Sequence, residues 1–141
     1  LWNILGLSTF AQPTFPSGDP RKQFALARVD PRIHFALNCG AKSCPPIKVY
    51  SPDTLEQGLS SSAEAFCNSE VAFDPSSNTL LASSILKWYG VDFGATQKER
   101  IQYLLPYLSE ETRNELEQIP EENLDSIQMK YKEYDWSTNS Y

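Results

Sequence analysis

Asp30-Pro-Arg-Ile-His-Phe-Ala-Leu-Asn-Cys-Gly-Ala-Lys-Ser-Cys-Pro-Pro46 is the stretch on which the reading of this chain turns, because it holds the single histidine and two of the three cysteines in 141 residues. Ile33, Phe35 and Leu37 alternate with His34, Ala36 and Asn38, the period-two pattern of a strand with one face on a core. On that reading His34 and Asn38 point the same way. Cys39 to Cys44 must then turn: Gly40 frees the backbone, and Pro45-Pro46 cannot continue a helix or a central strand. A histidine on a rigid element followed by a cysteine on a constrained loop is the arrangement of a thiol and an imidazole that have to meet.

Outward from this stretch the chain reads as a small α+β domain, a small antiparallel or mixed sheet with helices packed on it. Residues 1–17 read as an extended lead-in and 18–139 as one domain, with Phe24 to Val29 as a short strand or one helical turn. Ile47-Lys-Val-Tyr50 alternates as a second short strand. Ser51, Pro52 and Asp53 open a helix whose Leu55, Leu59, Ala63 and Phe66 form a buried stripe. Val71-Ala-Phe73 and Thr79-Leu-Leu-Ala82 flank Asp74-Pro-Ser-Ser-Asn78, a turn composition that predicts a hairpin.

Ser83 or Ser84 caps a short segment, Ile85 to Tyr89, that Gly90 ends. Thr96-Gln-Lys-Glu99 has the capping-box form and starts a helix along Ile101, Leu104, Leu105 and Leu108, broken near Pro106. A further acidic helix begins at Ser109 with Leu116 and Ile119 facing in. Ile127, Met129 and Tyr131 predict a last strand.

The net charge of -6 and the lack of a Lys/Arg cluster exclude a nucleic-acid-binding surface. No run approaches the roughly 18 apolar residues of a membrane span, and Leu1-Trp-Asn-Ile-Leu-Gly-Leu7 has no basic flank of a signal peptide. The abrupt start reads as that of a fragment or of the C-terminal part of a longer product. Three cysteines rule out a complete disulfide framework within the chain, which favours a reducing, intracellular and cytoplasmic setting.

Asp30 to Pro46, together with Lys87-Trp-Tyr-Gly-Val-Asp-Phe-Gly94 and Tyr134-Asp-Trp-Ser-Thr-Asn139, resembles the domain-of-unknown-function 547 family over about residues 18 to 139. Members are similar to papain-like cysteine hydrolases, with a proposed glutamate, histidine and cysteine constellation. By motif the histidine is His34 and the cysteine is Cys44, of the recurring Cys-Pro pair. The family's glutamate belongs to an upstream motif with no counterpart here, since the only acid from Leu1 to Pro20 is Asp19; the resemblance thus implies an upstream segment or a partner chain that completes the fold. In the family such domains are joined to leucine-zipper, DEP or glutaredoxin-like segments, which points equally to a non-catalytic scaffold binding a protein or peptide.

As chemistry, Cys44 would attack a carbonyl, His34 would act as general base and then acid, and Asn38 would hold the imidazole. No cofactor or metal is expected, although His34, Cys39, Cys44 and Cys67 could be drawn as a zinc set and Cys39 with Cys44 as a redox pair. The ordinary role of Cys39 and Cys67 is that of small buried hydrophobes, and of Trp88, Tyr89, Phe93, Tyr134 and Trp136 that of packing aromatics. Asp92 and Asp135 read as acids satisfying a turn, and Arg32 as the anchor of Asp30 or Asp92.

Overall fold

The computed structural model describes residues 15–16, 18–24 and 28–139. Nearly all of the 1–17 lead-in, and the centre of the 24–29 run, lie outside them. The fold is α+β. β1 (Ala72–Asp74) and β2 (Thr79–Ala82) form the expected hairpin, and β3 (Gln128–Tyr131) joins β2 in parallel, giving a mixed sheet of order β1-β2-β3. The parallel pairing of Leu80 with Met129 and Ala82 with Tyr131 requires a crossover, which all the later helices supply.

α1 (Leu55–Glu70) precedes the sheet, and the crossover helices are α2 (Ser84–Trp88), α3 (Gly90–Phe93), α4 (Gln97–Leu104) and α5 (Glu110–Glu117). Their ends follow the expected chemistry: Ser83 Oγ accepts from Ile85 N, and Thr96 and Glu99 close a capping box. Pro106 breaks the stripe after α4, turning Leu105–Tyr107 into a 3-10 helix. No helix of the described residues is long and apolar enough to cross a membrane.

The strand expected through His34 is corrected. Pro31–Phe35 is a 3-10 helix. Pro31 presets the first helical φ, the Asp30 carboxylate accepts from Arg32 N, and Ala36 N donates back to Ile33 O. Consecutive residues His34 and Phe35 are both buried, which a half-buried strand does not allow but one helical turn does. The strand expected at Ile47 to Tyr50 is likewise absent: the segment follows Pro45-Pro46 without regular structure, and Ile47 and Val49 are 81% and 96% exposed. α2 stops at Tyr89, its cap, as expected, and Gly90 then opens α3, where an added Cβ would meet the Arg100 guanidinium.

The core fills the space between sheet and helices. Phe35 stacks on Phe66 of α1 at 5.1 Å and meets Phe93 of α3 at 5.4 Å, so the His34 turn is clamped between these two helices. Leu80, Ile101, Leu104 and Leu116 are almost wholly buried around them. Removing a buried Leu or Phe to Ala here costs about 2–5 kcal/mol.

Candidate active site

A loop that the chain ties down from both sides carries the cysteines. Gly40 adopts φ +88, a left-handed turn open to glycine. The Asn38 side chain holds the loop at two points, its Nδ2 donating to Pro45 O at 2.6 Å and its Oδ1 accepting from Gly40 N at 2.7 Å. The C-terminal strap 134–139 seals the other side. Lys42 N donates to Ser137 O, Asn139 N to Gly40 O, and Asp135 N to Ser43 Oγ, around an Ala41–Thr138 bridge.

Inside this frame Cys44 Sγ collects donors. Cys39 N–H reaches it at 3.1 Å, Tyr134 Oη at 3.1 Å and Cys39 Sγ at 2.7 Å. Burial raises the Cys44 thiol, but hydrogen bonds from the Cys39 side chain, Tyr134 and the backbone of Cys39 and Ala41 outweigh it, leaving the thiol below its ordinary value. Tyr134 moves the other way: its burial, and then the neighbouring Cys44, keep the phenol protonated. Both cysteines are free thiols.

The imidazole belongs to a second, buried arrangement. His34 Nε2 lies 2.9 Å from Asp92 Oδ2, with both side chains 1% exposed. Tyr89 stacks on the ring at 4.3 Å and Phe93 tilts against it at 5.5 Å. Burial lowers the imidazole pKa against the opposing pull of Asp92, so the ring is neutral near pH 7, with its Nε2 proton donated to the carboxylate. Asp92 Oδ1 is buried without a hydrogen-bond partner. Tyr89 stacks on the imidazole, and burial, followed by the nearby Asp92, raises its phenol.

Of the three residues picked from the sequence, the structure therefore brings Asn38 to the Cys44 loop and places His34 in a separate buried pair. Asn38 holds the cysteine loop, and Asp92 is the polar partner of the imidazole. Tyr134 is the group on Cys44 that sequence reasoning passed over. Its place in the motif Tyr134 to Asn139 was the available signal, but nothing in the spacing carries it across 90 residues to the sulfur. Arg32 anchors Asp30, as one of its two sequence alternatives had it, and also Glu56. Cys67 is fully buried in α1, its thiol pushed up to about 12 by burial. Among the described residues no group of three or more His, Cys, Asp or Glu side chains could hold a metal ion.

No curated protein and no solved structure matches the chain. One family model does, described as "Protein of unknown function, DUF547", over residues 3–67. That stretch contains His34, Asn38, Cys39 and Cys44 and ends before Asp92 and Tyr134. The match gives no support to a papain-like hydrolase, since its description names no activity. Over residues 3–67, cysteine loop included, the chain is similar to the DUF547 family of unknown function.

Proposed function

We propose that Cys44 is the reactive nucleophile of this chain and that it works with Cys39 in thiol–disulfide exchange. The observation that carries this reading is the 2.7 Å contact between the two sulfurs at the surface. A disulfide bond spans about 2.05 Å, so closing the contact takes a fraction of an ångström. The Cys44 thiolate attacks one sulfur of a substrate disulfide and expels the other as a thiolate. The Cys39 thiol then attacks Cys44 in the mixed disulfide, its proton going to the departing sulfur. The substrate is reduced to one thiolate, which takes a proton from water, and one thiol, and the protein is oxidised to a Cys39–Cys44 disulfide, which a thiol such as glutathione reduces again. Asn38 positions the loop, and the Tyr134 hydroxyl stabilises the thiolate.

The test is incubation with glutathione disulfide followed by peptide mapping. A Cys39–Cys44 bridge, with Cys67 still a free thiol, is expected, and Cys39→Ser is expected to trap glutathione on Cys44. Unmodified cysteines after prolonged oxidation overturn the proposal.

A second reading, hydrolysis with Cys44 as acyl nucleophile and His34 as base, is favoured by the lowered Cys44 thiol. It requires an imidazole whose Nε2 is engaged by Asp92 behind the Tyr89 ring. Cys39→Ser separates the two, because it abolishes disulfide formation and leaves acyl transfer intact. Under the hydrolase reading an activated ester is turned over by Cys39→Ser and not by His34→Gln.

A further inference from the structure

Beside the two sulfurs stands a set of three rings: Tyr134, which packs against the core, and two exposed indoles, Trp88 and Trp136. Tyr134, whose hydroxyl contacts Cys44 at 3.1 Å, lies 4.6 Å from Trp136 and 4.9 Å from Trp88, and the two indoles stack at 5.6 Å with planes 28° apart. Trp136 is 67% exposed and Trp88 44%. The strap that ties down the cysteine loop also fixes this wall, since Asp135, between Tyr134 and Trp136, accepts from Ser43 N at its carbonyl and donates its N–H to Ser43 Oγ. Indoles cost little conformational entropy when they immobilise a partner and offer large apolar faces. Here those faces begin one ring away from a reactive sulfur.

We infer that Trp88, Tyr134 and Trp136 form the substrate-binding wall of the thiol site, and that its substrate is a cysteine-bearing protein segment with an apolar side chain two residues from the cysteine. The inference rests on the thiol–disulfide reading above. The reacting atom of the substrate must reach Cys44, and a side chain two residues away in an extended segment, on the same face and about 6.6 Å further along, then falls on the rings contiguous with that sulfur. Charge points the same way. The chain carries a net charge of -6, while the carboxyl of Asp135, within the wall's own backbone, is paired with Lys42 Nζ at 3.9 Å, so the repulsion of an anion comes from the chain as a whole. A small anionic disulfide such as glutathione disulfide is therefore a poorer fit than a neutral apolar peptide.

The experiment compares three probes on the full chain: glutathione disulfide, a neutral peptide disulfide with leucine two residues to either side of the cysteine, and the same peptide with glycine in place of leucine. Rates of Cys39–Cys44 oxidation are read alongside a titration of tryptophan fluorescence with the leucine peptide carrying serine instead of cysteine. The wild type is expected to react fastest with the leucine peptide, and Trp136→Ala, at the most exposed ring, to lose roughly threefold to tenfold of that rate with little change toward glutathione disulfide. Trp88→Ala is expected to do the same.

Equal rates with leucine and glycine peptides, or an unchanged leucine rate in Trp136→Ala, overturn the inference. If no disulfide reacts, the thiol–disulfide reading falls, and the serine peptide decides the wall separately: saturable fluorescence change that weakens in Trp88→Ala supports it, and no change refutes it.

Discussion

Tyr134 Oη lies 3.1 Å from Cys44 Sγ across 90 residues of chain, so a phenol from the C-terminal strap is a direct partner of a thiol in the N-terminal loop. With Cys44 below its ordinary pKa and the Tyr134 phenol held protonated, the hydroxyl donates to the thiolate. Tyr134→Phe removes that donor and keeps the ring. The alkylation rate of Cys44 by iodoacetamide, followed against pH, is expected to shift its midpoint upward by about one unit, while Cys67 stays unreactive in the folded protein. An unmoved midpoint would show that the Cys39 side chain and the backbone donors hold the thiolate without Tyr134.

The buried imidazole makes stability depend on pH in a window of its own. His34 is lowered in the folded state by burial, so between its folded value and about 6.5 the unfolded chain binds the proton and the folded one does not. Stability from this group is complete above about pH 6.5 and falls as pH drops toward the folded value. Carboxylates such as Asp30 and Asp135, whose values are lowered by Arg32 and Ser137 respectively, act only at more acid pH. Urea unfolding between pH 7.5 and 5 is expected to show this slope, and His34→Asn, in a chain with one histidine, to flatten it.

Removing the imidazole altogether leaves a carboxylate with both side-chain oxygens buried and unpartnered. His34→Ala is expected to cost about 3–5 kcal/mol, measured by chemical denaturation. His34→Ala combined with Asp92→Leu is expected to recover part of that loss, since no buried charge remains. A double variant as unstable as the single one would place the cost in lost ring packing on Tyr89 and not in the charge.

Asn38 holds the cysteine loop at both ends. Asn38→Ala removes two hydrogen bonds at a half-buried position, with an expected cost of about 1–3 kcal/mol. The sharper readout is kinetic: closure of the Cys39–Cys44 disulfide is expected to slow, because the sulfurs are no longer held in contact. Unchanged closure would assign the loop's shape to the strap alone.

Two glycines separate backbone strain from crowding. At Gly40 nothing lies within 4 Å of an added Cβ, but φ is +88, so Gly40→Ala is expected to cost about 1 kcal/mol of backbone strain alone. At Gly94 an added Cβ would meet Glu99 Cβ at 2.5 Å and Arg100 N at 2.9 Å. Gly94→Ala is expected to cost more, with thermal denaturation ranking the pair.

The local chemistry of the chain was legible wherever a few adjacent residues decide the outcome. Ser83 and Thr96 mark the helix starts they cap, Pro106 breaks α4, and the Asp74 to Asn78 turn makes the hairpin. The same reasoning found the cysteine loop, because Gly40 and Pro45-Pro46 leave it few alternatives. It misread Ile33 to Leu37, since alternation of apolar residues describes a strand only when a neighbouring strand is there to pair, and Asp30-Pro31 instead wound a 3-10 turn against α1 and α3.

What the sequence determined alone is therefore the position of the reactive groups along the chain and the turns that constrain them. Which groups meet was decided by tertiary structure, because contacts such as His34 with Asp92 and Cys44 with Tyr134 span 58 and 90 residues and depend on how α3 and the C-terminal strap close over the core. Periodicity reports which face of an element is apolar. Only packing selects the side chain waiting on the other side.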